Sequence, residues 1–261
     1  MTMFTQYEKN KWREINNIII SQNQGLRKAV IITPTIGKLS LKIAIESVLT
    51  QDYESLVHLI VIDGECHYLR VNKMINEYNT EKILIIKLPF NTGQGGFNGH
   101  RIYAAISYLI NSDYIFFLDE DNWLDTDHVS SIINLIETKE LDWAYSMRKI
   151  YNYDYSYIAD DNCESIGKFL PFSDSYYLID TNCYGLKRQT LTSVAHLWYH
   201  PLGADRYFFR GLDRIFPKYE CTNLYTTNYL LTEGRHPNAE YFLKGNQYMM
   251  NKYNNRLPWI P

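Results

Sequence analysis

Three carboxylates stand together in Asp119-Glu120-Asp121-Asn122, directly after the apolar run Tyr114-Ile115-Phe116-Phe117-Leu118. Residues two apart in an extended chain point the same way, so Asp119 and Asp121 can face one cation while Glu120 faces elsewhere. Oxygen-only ligands suit a hard ion, Mg²⁺ or Mn²⁺, which can in turn hold a diphosphate. A solvated acidic turn has the same composition, so the triplet alone does not decide the matter. Asp63-Gly64 closes a second apolar run, and its carboxylate suits a base N–H or a ribose hydroxyl as well as a plain turn. The segment Asn91-Thr92-Gly93-Gln94-Gly95-Gly96-Phe97-Asn98-Gly99-His100-Arg101 lets backbone approach a ligand and leads into a helix whose N-terminus favours anions. It has neither the G-K-[ST] of a Walker A loop nor a dinucleotide fingerprint. Arg101 and Arg235 are cations able to balance a diphosphate, and Trp198, Tyr199 and His200 suit either a sugar-facing wall or a packing cluster.

Those groups need a scaffold, and the chain supplies a regular one. A run of five β-branched, aromatic or aliphatic residues before the triplet reads as a strand buried on both faces. Ala29 to Thr33 is a similar strand, halted by Pro34 and Gly37. Ser40 can cap a helix with apolar positions Leu41, Ile45, Val48 and Leu49. A strand over Leu56–Ile62, a helix through Val71, Met74, Ile75 and Tyr78, a strand over Ile83–Leu88 and a helix over Asn98–Ile110 follow. Repeated strand–helix–strand units predict right-handed crossovers and a Rossmann-like, doubly wound, mainly parallel α/β sheet. Loops starting near Thr33, Asp63, Asn91 and Asp119 then share the rim where such sheets bind ligands.

Beyond residue 126 the rhythm loosens. Thr126 or Asp127 can cap a helix through Val129, Ile132, Ile133 and Ile136, and Trp143–Tyr151 reads as a strand. Tyr151–Ser165 reads as a polar loop, Tyr176–Asp180, Tyr184–Leu186 and Leu224–Leu231 as strands, and Phe208–Leu212 as part of a helix beginning near Asp205. From Glu240 onward the tail is polar and aromatic. At the other end, Trp12, Ile15 and Ile19 recur at helical spacing, which suits packing on the main body or, alternatively, a membrane-surface or partner contact.

Composition excludes several classes. With 261 residues and a net charge of −3 there is no basic excess for nucleic acid. Four scattered cysteines, without a C-x-x-C or a secretory leader, argue for free thiols in a reducing, cytoplasmic compartment. No apolar run approaches the roughly 18–20 residues of a membrane span, which leaves peripheral association at a membrane's inner face as the alternative. The 23 tyrosines lean mildly towards carbohydrate.

Taken together, five motifs in order carry a resemblance. Val30-Ile31-Ile32-Thr33-Pro34-Thr35, Ile45-Glu46-Ser47-Val48-Leu49-Thr50-Gln51, His58-Leu59-Ile60-Val61-Ile62-Asp63-Gly64, Asn91-x-Gly93 with Asn98, and Phe117-Leu118-Asp119-Glu120-Asp121 follow one another at family spacing. From about Ala29 to Asn122 the chain resembles the family 2 glycosyltransferases, nucleotide-sugar enzymes of the GT-A fold. It departs from them where Glu65-Cys66-His67 follows Gly64 and where Ile36-Gly37 follows the first strand. The resemblance implies a mixed acceptor-side region beside the main sheet, with a nucleotide-sugar half over 29–125 and an acceptor half over 126–261 of one domain, and the helical spacing before them marks residues 1–28 as a separate lead-in. It implies that Thr33 and Asp63 lie against base and ribose, with Pro34, Thr35, Asn91, Gly93, Asn98, Arg101, Asp119 and Glu120 completing the donor site. Asp119 and Asp121 would hold Mn²⁺ or Mg²⁺ and the diphosphate, with His236 as a third metal ligand from a late loop.

An inverting transferase also needs a base for the acceptor hydroxyl. Gly203-Ala204-Asp205-Arg206-Tyr207 resembles the family's base segment, so Asp205 is the candidate, a helix N-cap being its other use. Asp213 and Asp180 are the reserves. Implied partners are a UDP-sugar donor and a glycan or glycoconjugate acceptor in polysaccharide biosynthesis. Two rival functions are a nucleotidyltransferase and a catalytically silent sugar- or protein-binding domain.

Overall fold

A computed structural model describes residues 29–173 and 177–260, so the helical lead-in expected over residues 1–28 lies outside the described residues. In the first half β1 (Ala29–Thr35), α1 (Leu41–Leu49), β2 (Leu56–Ile62), α2 (Tyr68–Ile75), β3 (Ile83–Lys87), α3 (His100–Ile106) and β4 (Tyr114–Phe117) alternate as the apolar runs predict. Every residue of β1, β2 and β4 is buried, which is why these strands read as unbroken apolar stretches. All four strands run parallel in the order β3-β2-β1-β4. Strand order therefore reverses between β1 and β4, the switch point where the loops diverge and leave a crevice.

The second half comprises β5 (Trp123–Leu124), α4 (His128–Thr138), β6 (Trp143–Tyr151), β7 (Tyr157–Asp160), β8 (Tyr184–Lys187), α5 (Arg188–Val194), α6 (Ala204–Ile215), β9 (Tyr219–Leu230) and α7 (Ala239–Lys252). The sheet continues β4-β8-β6-β9-β5, with β7 added to β6. β8 is antiparallel to both β4 and β6, whereas β6 and β9 are parallel. These directions decide what reaches the rim: the residues just before β8 and just after β9 arrive beside the end of β4. Helices α1, α2 and α4 cover one face of the sheet, and α3, α5 and α6 the other. Gly185 lets α4 approach closely, since a Cβ there would stand 2.4 Å from Ile132 and 2.6 Å from Phe116. Among the described residues no helix is long and apolar enough to cross a membrane.

Four expectations are corrected. β1 runs on through Pro34 to Thr35, because its pairing with β4 ends at Ile32–Phe117, so a missing N–H beyond that point costs nothing on that side. The expected loop over Tyr151–Ser165 contains β7, folded back on β6 through a turn in which Asn152 N–H donates to the Ser156 carbonyl at 2.8 Å. No strand forms over residues 177–180; Leu178 and Ile179 are buried, but the backbone N–H of Asp180 is taken by the Ser165 hydroxyl at 2.8 Å. The polar tail carries α7, whose Asn238 cap accepts from Tyr241 N–H and whose buried Phe242, Gly245 and Met249 follow helical spacing.

Arg148 on β6 joins these parts. Its side chain is 3 % exposed, and it meets Asp161 at 2.7 Å and Asp180 at 2.6 Å, with Glu164 as a third partner. Its guanidinium also lies over the rings of Tyr229 and Phe242. Asp161 accepts from the N–H groups of Cys163, Glu164 and Ser165, so one buried cation organises the whole 161–165 bend. Removing it leaves three carboxylates, those of Asp161 and Asp180 buried, without their counter-charge. Arg148→Ala is therefore expected to destabilise the fold by about 3–5 kcal/mol, read as a lowered denaturant midpoint in equilibrium unfolding.

Candidate active site

A cleft of about 430 Å³ opens at the switch point, and the four rim loops line it. Pro34, Thr35, Ile36 and Lys38 come from the end of β1, Asp63 follows β2, Asn91 to His100 follow β3, and Asp119 to Asp121 follow β4. Thr181 enters ahead of the antiparallel β8, and Thr232 and Arg235 enter after β9. Of the sequence-predicted residues, Pro34, Thr35, Asp63, Asn91, Gly93, Asn98, Asp119, Glu120 and Asp121 are brought together here.

The three carboxylates of the triplet have different surroundings. Asp119 is half-buried in the cleft wall, with Tyr103 O–H donating to Oδ1 at 2.8 Å and the Asn182 amide donating to Oδ2 at 3.2 Å. Burial pushes its pKa up to about 7, with the charges of Asp121 and Asp180 adding to the rise and those two hydrogen bonds opposing it. Glu120 turns away, because the chain leaves β4 at Phe117 and folds into a turn closed by Asn122 N–H donating to the Asp119 carbonyl at 3.2 Å. Its carboxylate accepts the Thr35 hydroxyl and the backbone N–H groups of Gly37 at 3.1 Å and Lys38 at 2.9 Å. Asp121 borders the cleft with its carboxylate partly exposed, and Lys38 Nζ lies 2.8 Å from its Oδ2.

Asp63 likewise acts on the rim itself. It accepts from Thr92 N–H at 2.6 Å and Gly93 N–H at 2.9 Å, which closes the Gly-rich loop over the end of β2. Gly93 is needed there, because a Cβ would come 2.5 Å from the Asn98 carbonyl oxygen. Thr33 is fully buried, its hydroxyl 2.8 Å from His58 Nε2, and it does not line the cleft. Arg101 faces an apolar cavity on the other side of the loop, packed on Phe97 and hydrogen-bonded to the Thr92 carbonyl.

Asp205 opens α6 and accepts from Arg206 N–H at 2.9 Å. Burial raises its pKa, while Arg206 and His100 pull the other way. Asp205 does not itself border the cleft; His100, which does, lies near enough for the two charges to interact. His236 lies in the adjoining cavity with its ring against Tyr241, and only its neighbour Arg235 borders the cleft. Among the reserves, Asp180 is bound by Arg148 and Asn182, and Asp213 lies near Tyr219, whose pKa burial and then that carboxylate push up. Among the described residues no three His, Cys, Asp or Glu side chains converge as a ready metal cage.

Sequence reasoning missed Tyr103, Asn182 and the cleft-side position of Lys38. Asn182 lies 63 residues from Asp119, and only the antiparallel direction of β8 returns it to the rim. The Asp119 geometry makes a prediction. Its folded pKa lies above the ordinary carboxylate value, so its stabilising contribution is full below about pH 4 and lost as pH rises through about 7. In metal-free protein, the ¹³C carboxylate signal of Asp119 should titrate near pH 7. Tyr103→Phe, which removes a donor to the ionised form, should move that midpoint upward. A midpoint near 4 in the unsubstituted protein would contradict the burial described here.

Comparison with known proteins agrees with this architecture. The family model described as Glycosyl transferase family 2 matches residues 30–188, more than half of the chain. No curated protein matches it. Among solved structures, residues 1–349 of S. aureus TarS in complex with UDP-GlcNAc superimpose with a TM-score of 0.61 at 12% identity, over 81% of this chain and 60% of that one. The same TarS region with UDP gives 0.59 at 13% identity, over 78% and 61%. This chain thus spans less than two thirds of those TarS structures, and at such identity the likeness is one of fold. The chain belongs to glycosyl transferase family 2 and carries its GT-A fold.

Proposed function

We propose that the chain transfers a sugar from a UDP-sugar to an acceptor hydroxyl of a glycan or glycoconjugate, with inversion at the anomeric carbon. One observation carries this reading: the family's acidic motif stands at the β1–β4 switch point with the Asp121 carboxylate open to the cleft. The UDP-GlcNAc and UDP held by the structurally similar TarS favour uridine as the base.

Charge accumulates on the diphosphate as it leaves, so the site must offset it. The donor set suits a hard divalent cation, Mn²⁺ or Mg²⁺, because such an ion takes one or two protein carboxylates and fills its shell with phosphate and water oxygens. Asp121 would be its principal ligand, with Asp119 oriented beside it by Tyr103 and Asn182. When bound, the ion would act as a Lewis acid on the leaving group. His236, turned towards Tyr241 in the neighbouring cavity, is not part of this set.

Asp205 would take the proton from the acceptor hydroxyl. Burial raises its basicity, and the Arg206 N–H and guanidinium keep its ionised form accessible. Asn91, Gly93 and Asn98 shape the donor wall, with Asp63 fixing the loop that carries them. Holding donor and acceptor across one cleft supplies much of the remaining rate.

A panel of nucleotide sugars incubated with Mn²⁺, with and without chelator, should release nucleoside diphosphate only in the presence of metal. Asp121→Ala should lower turnover by about a hundredfold. Asp205→Ala should abolish transfer, a loss of about 10²- to 10⁴-fold, and leave UDP affinity nearly unchanged. Turnover in chelator, or wild-type rates in either variant, would overturn the mechanism.

A further inference from the structure

A diphosphate entering this cleft meets an acidic wall. Asp63, Asp119, Glu120 and Asp121 all border it. Asp63 and Glu120 commit their carboxylates to hydrogen bonds from the rim loops, and Asp119 receives Tyr103 and Asn182. Among the described residues lining the cleft, the only side chains with a permanent positive charge are Lys38 and Arg235. Lys38 sits against the proposed diphosphate site, 2.8 Å from the carboxylate of Asp121.

That lysine springs from a fixed point. Its own N–H and that of Gly37 are both held by Glu120, so the stem starts at a set place beside the triplet. The ammonium end is free to re-aim. The side chain is 52% exposed and that of Asp121 33%, and an ion pair so open to water is weak and easily exchanged. A lysine is a mobile point charge with three donors, suited to follow a phosphate oxygen as its charge grows.

We infer that Lys38 is a catalytic residue of the proposed transfer: it pairs with Asp121 before the donor binds and moves onto the diphosphate of the bound donor. The inference rests on the donor reading above. In the reaction the anomeric carbon–oxygen bond breaks with its electron pair going to the diphosphate. The acceptor oxygen bonds to the anomeric carbon, and its proton goes to Asp205. Lys38 offsets the charge left on the diphosphate. Because Lys38 and a divalent cation call on the same Asp121 carboxylate, they compete for it until the donor arrives.

The test uses Lys38→Met and Lys38→Arg, with thermal melts to confirm that each is folded. In chelator, calorimetry should show UDP binding to Lys38→Met weakened by about ten- to a hundredfold, and to Lys38→Arg by no more than about threefold. Without nucleotide, Mn²⁺ titration followed by electron paramagnetic resonance should show Lys38→Met binding the ion about two- to fivefold more tightly, because Asp121 has lost its competitor. A lysine with a purely structural role would lower both affinities or move neither. Unchanged UDP affinity in Lys38→Met, or Mn²⁺ affinity that is equal or weaker, overturns the role of Lys38. Failure of the unsubstituted protein to bind UDP or any other nucleoside diphosphate with Mn²⁺ present overturns the donor reading itself, and is told apart because it appears before any substitution is made.

Discussion

A guanidinium that is 3 % exposed must find its counter-charge within the protein, and Arg148 finds it in Asp161, Glu164 and Asp180. Buried pairs of this kind add little net stability, but each fixes a geometry, since no partner can leave without stranding a charge. Asp180 passes that constraint on. It receives the N–H and side-chain amide of Asn182, and Asn182 in turn holds both the backbone and the carboxylate of Asp119. A cation on β6 thus fixes the aim of a carboxylate at the end of β4. The two halves of the chain are joined at the cleft, because an acid at the end of β4 in the first half is oriented from the second.

The rim shows a second economy in its use of acid. Asp63 fastens the Gly-rich loop and Glu120 fastens the loop after β1, each by taking backbone N–H groups that would otherwise be unmatched beside the cleft. Four carboxylates border the cleft, yet two of them are builders of its walls. The other two, Asp119 and Asp121, are left to meet a ligand, and Lys38 faces the second of them.

The parallel half of the fold was legible because both of its faces are covered. β1, β2 and β4 leave nothing exposed, so they had to be written as continuous apolar runs, and the helices between them had to show one apolar stripe. The rim followed from topology alone. Legibility fell where burial became partial: β7 has no buried residue, and α7 buries only Phe242, Gly245 and Met249. At the site, Glu120 does point away from Asp119 and Asp121, but a turn at the end of β4 and not an extended chain separates them. No local pattern marks Asn182 as the partner of Asp119 or Tyr103 as its donor, since those contacts exist only once β8 and α3 have docked on β4. Thr33 shows the converse limit: a matched motif position whose hydroxyl is spent on His58 inside the sheet.

The grip of Glu120 on residues 35–38 also bears on how this cleft can vary. Its carboxylate receives a hydroxyl and successive backbone N–H groups, so the spacing from Thr35 to Lys38 is set by the reach of one side chain. An inserted or deleted residue there would unseat the acceptor and the lysine together, whereas exchanges of the exposed Ile36 side chain leave the grip intact. Length in this loop is locked while its side chains are open to change, so new donor preferences would arise by substitution at fixed spacing and not by remodelling the loop.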